Sequence, residues 1–484
     1  VHLPGTEKSS RFDVPSLKEN FMFSKDVYIN RRKELKKLLG KGIVLFLGNR
    51  EVPFNYPANT YRFRQDSSFS YFFGLDDPDL AALIDIENDY EILFGNDLEI
   101  EDIIWMGPQP SMKDRAALVG VASVKPLIAL EEVLTGLSSR GAVIHYFHPY
   151  RADLQIALSD LLDIPVKKLK KQQSEELIRA IIKLRSVKEE VEIAEIERMV
   201  DVAGEMHTTV MRLAKDGVHE AYLTGIMEGI PVSHGGQISF PIILSKHGET
   251  LHNHVHTNIL RSGDLLISDA GAEGALHYAS DITRTTPVGG KFSPRQKEIY
   301  EIVLMANLKA ISMSKPGILY RDVHLAVAQT IASGLIQVGL MKGDPGEAVA
   351  AGAHALFFPH GLGHMLGLDV HDLENMGENL VGYTNEIRRS EQFGTAYLRL
   401  GKHLEKGFVI TDEPGIYFIP ALIDLWKAEK KHEAFINYAQ VEKYRDFGGI
   451  RLEDDLLITD HGCRVLGKPI PKTVAEVEAI AGRG

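Results

Sequence analysis

Four carboxylates in this 484-residue chain interrupt apolar runs that read as buried strands. Asp269 follows Leu265-Leu266-Ile267 in GDLLISDAG, and Asp281 opens DITRTTPV after a short glycine-containing turn. Together they read as a β-hairpin with a carboxylate on each arm. Glu413 lies in GFVITDEPGIYF and Glu453 in GGIRLEDDLLIT, again between apolar stretches. An unpaired carboxylate is strongly disfavoured in an interior, because nothing there replaces its hydration. One such acid alone reads as a turn residue or a salt-bridge partner. Four in comparable settings point to a bound cation. Cys463 is the single cysteine, so a multi-thiolate site is excluded and carboxylates and histidines must supply the ligands.

The missing ligand type is present in HGLGHMLGLDVHD, where His360, His364 and His371 stand among glycines. His360 and His364 have the spacing of a zincin helix, but Gly361 occupies the place where that motif carries its Glu. Gly361, Gly363 and Gly367 miss the dinucleotide fingerprint by one residue, and no strand–turn–helix unit with an acidic ribose partner surrounds them. No G-x-S-x-G elbow occurs, so a serine hydrolase of that type is unsupported. In LHNHVHTN, His252, His254 and His256 alternate and would share one face of a strand. Taken alone, they read as a surface tract or an adventitious metal site.

Elements must hold these groups in place. Lys33 to Leu39 reads as the end of an amphipathic helix and Ile43 to Leu47 as a buried strand. Ala81–Ile86, Tyr90–Phe94 and Ala142–Phe147 are further strand-like runs, which predicts an α/β domain over residues 25–175 behind an extension of residues 1–24. The basic stretch Val166 to Lys171 reads as a solvated linker or helix face near the boundary. Ser186 and Glu189 have capping-box spacing, and Ile193, Ile196, Val200 and Ala203 then form one apolar helical face. Residues 176–484 are taken as one larger domain holding all the ligand-type motifs.

Composition narrows the function. A formal charge of −12 argues against nucleic-acid binding through a broad basic surface. Hydrophobic content of 44% with 25% charged residues is that of a folded chain. No apolar run approaches the roughly 18 residues of a membrane span, so no membrane partner is expected. Val1 to Asn20 is polar and lacks the apolar centre of a secretory signal, which makes the cytoplasm the expected compartment.

In content and order, LLISDAG with DITRT, HGLGHMLGLDVHD, TDEPGIYF and GGIRLEDD resemble the pita-bread metallopeptidases, and more narrowly the proline-specific branch of aminopeptidase P and prolidase. YRFRQDSSFSYFFGL, from Tyr61, resembles the N-terminal domain of that branch. The fold class implied is a smaller N-terminal α/β domain followed by a catalytic pita-bread domain. The resemblance implies two divalent cations held by Asp269, Asp281, His364, Glu413 and Glu453, with Asp281 and Glu453 bridging. Four carboxylates balance two such ions and leave a shared hydroxide as the residual charge. The oxygen-rich set suits Mn2+ first, with Co2+ or Zn2+ as alternatives. By the same resemblance the hydroxide attacks the carbonyl of the first residue of a peptide with proline second, and Glu413 moves the proton. His252 and His371 match positions that contact the carbonyl and the tetrahedral intermediate. His360 and Arg451 match positions that line the pocket or support the ligands. A homodimer or tetramer is implied, with the N-terminal domain narrowing the entrance.

The leading expectation is therefore an Xaa-Pro aminopeptidase. Xaa-Pro dipeptidase is the alternative, since Ile416 to Gly449 and the ending KPIPKTVAEVEAI resemble prolidases at least as well. Methionine aminopeptidase lacks a use for the N-terminal domain, and the metal-free creatinase branch lacks the ligand set. A non-catalytic binding protein on the same fold is the remote alternative. Two departures bear on the assignment. Asp269 and Asp281 stand 12 apart, one more than the family spacing, which predicts an extra residue in the turn or a bulge. Asp412 takes a place usually apolar and is expected either to face away from the site or to perturb Glu413.

Overall fold

The computed structural model describes residues 22–483, so most of the expected extension, residues 1–21, lies outside the described residues. A five-stranded sheet organises the first part, in the order Ser123–Lys125, Tyr90–Phe94, Ala81–Asp85, Ile43–Leu47 and Ile144–His145. Ile43–Leu47 pairs antiparallel with Ala81–Asp85 and parallel with Ile144–His145. Side-chain alternation sends Val44, Phe46, Ala82 and Ile84 to one core with Phe69, Phe72 and Phe73. Ile43, Leu45, Ala81 and Leu83 enter a second core with Leu130, Leu134 and Leu158. Burial on both faces explains why these strands are continuous apolar runs.

Two expectations shift here, and the basic stretch keeps its helix-face reading. The run Ala142–Phe147 contributes only Ile144–His145 to the sheet, because the Tyr146 carbonyl turns away to accept from Ser174 N. The basic stretch is a short helix, Val166–Gln172, anchored by the buried Leu169. Ser186 does not cap the next helix. It ends Glu175–Ser186, and Glu189 caps Glu190–Leu213 in a reciprocal pair with Glu192. The intervening turn displaces the start by one helical signal, since Glu192 reaches back to Glu189 N at 2.8 Å. The expected apolar face of that helix holds, with Ile193, Ile196, Val200 and Ala203 all buried.

Beyond it, Ile282–Pro287, Leu265–Ala270 and Ile243–Ser245 form one small sheet, and Val409–Asp412, Asp454–Ile458 and Cys463–Val465 another. Gly415–Tyr417 pairs with Gly449–Arg451. The sheets meet where Glu453 N donates to the Thr283 carbonyl at 3.1 Å and Thr285 exchanges hydrogen bonds with Arg451. Helices Glu190–Leu213, Glu220–Ser233, Pro294–Met313 and Tyr320–Gln337 surround these strands, supplying much of the same continuous apolar core. No helix among the described residues is long and apolar enough to cross a membrane.

Charged side chains tie the first part to the second. Arg31 reaches Glu189 at 2.7 Å, and Arg64 reaches Glu273 at 2.9 Å. Ser67 Oγ donates to Asp369 at 2.6 Å, and Arg185 holds both Asp369 and Asp372. His277 lies 2.9 Å from Asp76 and 2.6 Å from Glu273. Burial alone would lower the His277 pKa, but these two acids outweigh it and raise it to about 9.

A histidine raised above its unfolded value stabilises fully below about pH 6.5 and loses that contribution as pH rises through 9. His277 has φ 62°, so asparagine, which tolerates the left-handed region, is the substitution that tests charge rather than backbone. His277→Asn is expected to lower stability by about 1–2 kcal/mol at pH 6, after discounting for half-exposed Asp76. The gap should close above pH 9.5, read as the difference in urea unfolding between the two proteins at each pH.

Candidate metal centre

Strand register brings the four separated carboxylates together. In the antiparallel pair, Asp269 stands opposite Thr283, so Asp269 and Asp281 fall on the same face. The extra residue between them is absorbed outside the ladder, in 271–280, where Ala272–Glu273 makes a separate pair with Gln237–Ile238. Asp269 therefore keeps its orientation despite the longer connection. Asp412 pairs with Asp454, which puts the adjoining Glu413 and Glu453 side by side at the end of their ladder. The HGLGH segment contains no helix and runs along this strand, with Thr411 N donating to His364 O and Glu413 N to Leu362 O. Gly363 permits that approach, because a Cβ there would collide with the Thr411 carbonyl.

Asp281, His364 and Glu453 each offer a ligand atom, and these atoms all lie within 4.8 Å of one another. His364 Nε2 stands 3.5 Å from Asp281 and 3.8 Å from Glu413. Its Nδ1 lies 3.0 Å from the Met365 carbonyl, an arrangement that protonates Nδ1 and leaves Nε2 a lone pair. Arg451 binds Asp269 at 2.6 Å, the Tyr417 hydroxyl at 2.7 Å and Thr283 Oγ1 at 3.1 Å. Thr283 in turn donates to Glu453 at 2.7 Å.

These partners leave the charge uncompensated. Asp269, Asp281 and Glu453 are each less than one-tenth exposed, and among the described residues Oδ1 of both aspartates has no hydrogen-bond partner. Burial, reinforced by neighbouring acids, raises Asp281 and Glu453 well above the usual carboxylate range. Burial likewise lifts Glu413 to about 7, with His364 and Arg451 opposing. Like charges packed this closely cannot all ionise unless a cation joins them. Oxygen donors with a single imidazole, two orphaned carboxylate oxygens and one free imidazole nitrogen fit divalent ions.

The other expected residues surround this group. His360 Nδ1 is 3.7 Å from Glu413, and its Nε2 is 3.0 Å from Tyr417 OH. Burial lowers its pKa to about 3, keeping the ring neutral. The His371 ring centre is 4.2 Å from that of His364, and its Nδ1 faces Glu374 at 3.4 Å. His252 stands exposed on an irregular segment, within electrostatic reach of Asp269, Arg451 and His371. LHNHVHTN is thus no strand, because Glu220 binds its end at Asn258 and the carbonyls of Ile242 and Leu244 face His254 and His256 instead of another strand. Asp412 faces away from the centre, where Asn307 Nδ2 donates to it at 3.1 Å.

Tyr417 and Thr283 went unrecognised in the sequence. Their signal was alternation: Glu413, Gly415 and Tyr417 share a face, as do Asp281 and Thr283. Gly415 leaves room for the hydroxyl, since a Cβ there would collide with Tyr417 OH.

With this geometry in hand, comparison with known proteins is decisive. Residues 194–460 match the family described as metallopeptidase family M24, and residues 28–145 match the aminopeptidase P N-terminal domain. The chain belongs to metallopeptidase family M24. Within M24 it is 35% identical to a protein named "Probable Xaa-Pro aminopeptidase" from Fusarium vanettenii, over 86% of this chain and 87% of that one. The Homo sapiens Xaa-Pro dipeptidase is 30% identical over 93% of this chain and 92% of its own. Proline aminopeptidase P II from Yersinia pestis superposes with a TM-score of 0.78 at 29% identity, covering 95% of this chain and 99% of that one. Zinc-substituted E. coli aminopeptidase P in complex with product also gives 0.78, at 28% identity, covering 95% and 98%. The M24 chain thus has the expected architecture, an aminopeptidase P-type N-terminal domain followed by a pita-bread domain, and falls in the proline-specific branch.

Glu453→Gln separates cation binding from simple packing in this M24 centre. The metal-free variant should be as stable as the parent or about 1 kcal/mol more so, because a buried like charge is gone. Added Mn2+ should raise the melting temperature of the parent by several degrees and leave that of the variant unchanged, in scans by calorimetry.

Proposed function

We propose that the chain is a metal-dependent Xaa-Pro exopeptidase of the aminopeptidase type, cleaving the bond between a first residue and a following proline. The observation that carries this reading is the convergence of Asp281, His364 and Glu453 with Glu413 and the orphaned Asp269 and Asp281 oxygens. Asp269, Asp281, His364, Glu413 and Glu453 would hold two divalent ions, Mn2+ by preference. Such ions, when bound, supply Lewis acidity to the peptide carbonyl and to the attacking water.

The residues of the chain do the rest. Glu413, lifted to about 7, is matched to taking a proton from water and returning it to the leaving proline nitrogen near neutral pH. Glu374 beside Nδ1 of His371 favours the imidazolium against the lowering effect of burial and His364, and only in that form would Nε2–H donate to the developing oxyanion. His252 at the mouth is placed to meet the substrate carbonyl. Neutral His360 and Tyr417 support Glu413 and Arg451, and Arg451 fixes Asp269. A homo-oligomer and a cytoplasmic setting accompany this reading.

Xaa-Pro dipeptidase is the second reading, and Arg399 favours it. Its guanidinium is 2.7 Å from Glu374, the residue against His371, and 34% exposed. A substrate ending at proline would present its carboxylate to such a cation.

The test is hydrolysis of Arg-Pro-Pro against Gly-Pro by protein stripped with chelator and reloaded with Mn2+. Turnover of the tripeptide that disappears on chelation and returns on reloading is expected. Glu413→Gln should reduce kcat by about 10²–10⁴-fold. Cleavage of the dipeptide alone would move the assignment to prolidase, and inactivity toward both would sink the enzyme reading.

A further inference from the structure

A cavity of about 1040 Å3 lies between helices Lys25–Leu39 and Glu175–Ser186 on one side and segments 379–389 and 402–408 on the other. None of the candidate metal-centre residues lines it. One cation on its wall stands without a partner among the described residues. Lys402 is half-buried, and among the described residues its ammonium has no hydrogen bond or ion pair, resting instead 4.9 Å from the centre of the Phe408 ring.

That lysine is an uncompensated cation. Burial pushes its pKa down to about 8; Lys188 adds to the effect, and Glu405 only partly opposes it. Glu189, an anion on the opposite wall, is taken by Arg31. Lys183 and Arg388 add exposed positive charge at the rim, while Leu184, Leu380 and the Tyr383 ring make the surface between apolar. Six cationic and four acidic side chains line the cavity, so a protein of net charge −12 carries here a small excess of cations beside an apolar body.

We propose that this cavity binds a small organic monocarboxylate, its carboxylate on Lys402 and its apolar body against Leu184, Leu380 and Tyr383. One ammonium suits a single negative charge. A phosphate dianion would need more donors and would face Glu405 and Glu189. The volume exceeds that of an inorganic ion many times over, so the ligand must bring apolar surface of its own. The site is separate from the metal centre and independent of the reaction assigned to it.

The experiment is isothermal titration of the metal-free full-length chain, which keeps carboxylates from binding through a catalytic ion. The probes are 4-phenylbutyrate, the uncharged 4-phenylbutan-1-ol, phenyl phosphate and inorganic phosphate. One 4-phenylbutyrate per chain is expected, with the alcohol and inorganic phosphate at least about tenfold weaker. Lys402→Met should weaken 4-phenylbutyrate about tenfold or more without lowering the melting temperature, since it removes a buried unpaired charge. His371→Ala should not change it. Failure of 4-phenylbutyrate to bind at millimolar concentration would overturn the proposal. Undiminished binding by Lys402→Met, loss of binding in His371→Ala, or a preference for phenyl phosphate would overturn it equally.

Discussion

Electrostatic repulsion among buried carboxylates is the constraint around which the C-terminal domain is arranged. Asp269, Asp281, Glu413 and Glu453 enter one small volume from four strand ends, and water is largely excluded from it. Hydration is lost there and like charges reinforce one another, so Asp281, Glu413 and Glu453 resist ionisation. The protein answers with one guanidinium, Arg451, and one relay hydroxyl, Thr283, which together engage Asp269 and Glu453. These are too few donors for the oxygens present, and among the described residues Oδ1 of Asp269 and Asp281 is left without a partner. A site so incompletely satisfied fits cations better than it fits protein donors alone, which accords with membership of a metallopeptidase family.

A second acidic layer lies directly behind the first and is solved differently. Asp454 is held by Arg284 at 2.7 Å and by Lys472, and these cations pull its pKa well down. Lys472 also binds Asn307, which donates to Asp412. The alternation of the strand therefore sorts neighbouring acids into two classes. Glu413 and Glu453 face the centre and lack fixed cations, whereas Asp412 and Asp454 face helix Pro294–Met313 and the C-terminal segment; there Arg284 and Lys472 hold Asp454, while Asp412 has only the Asn307 amide and burial raises its pKa. The unusual acid beside the proposed base is thus part of a structural network.

The N-terminal domain reaches the centre through the loop that carries His371. Ser67 binds Asp369, Arg64 binds Glu273 and approaches Asp369, and Arg185 with Lys188 holds Asp372. His371 is bracketed by these contacts on one side and by Glu374 on the other. YRFRQDSSFSYFFGL therefore does more than fill a core: Phe69, Phe72 and Phe73 anchor its helix, and Arg64 and Ser67 at its start dock on the loop.

Sequence by itself determined the ligand-type residues, because acids inside apolar runs are legible wherever burial makes them costly, and the order of the motifs carried the family. It also determined the strands buried on both faces, such as Ile43–Leu47, whose continuous hydrophobicity admits few readings. Tertiary structure alone decided the rest. The Ser186 and Glu189 spacing was a sound local signal, yet Glu192 competed for the same cap and won. The alternating histidines suggested a strand, but Glu220 and the backbone of Ile242–Leu244 hold that segment as an irregular loop. Tyr417 and Thr283 gained their roles only when register set them beside Arg451 and Glu453, partners 34 and 170 residues away. Propensity and periodicity act over a few residues, whereas the partners of a buried charge are chosen by the packing of the whole chain.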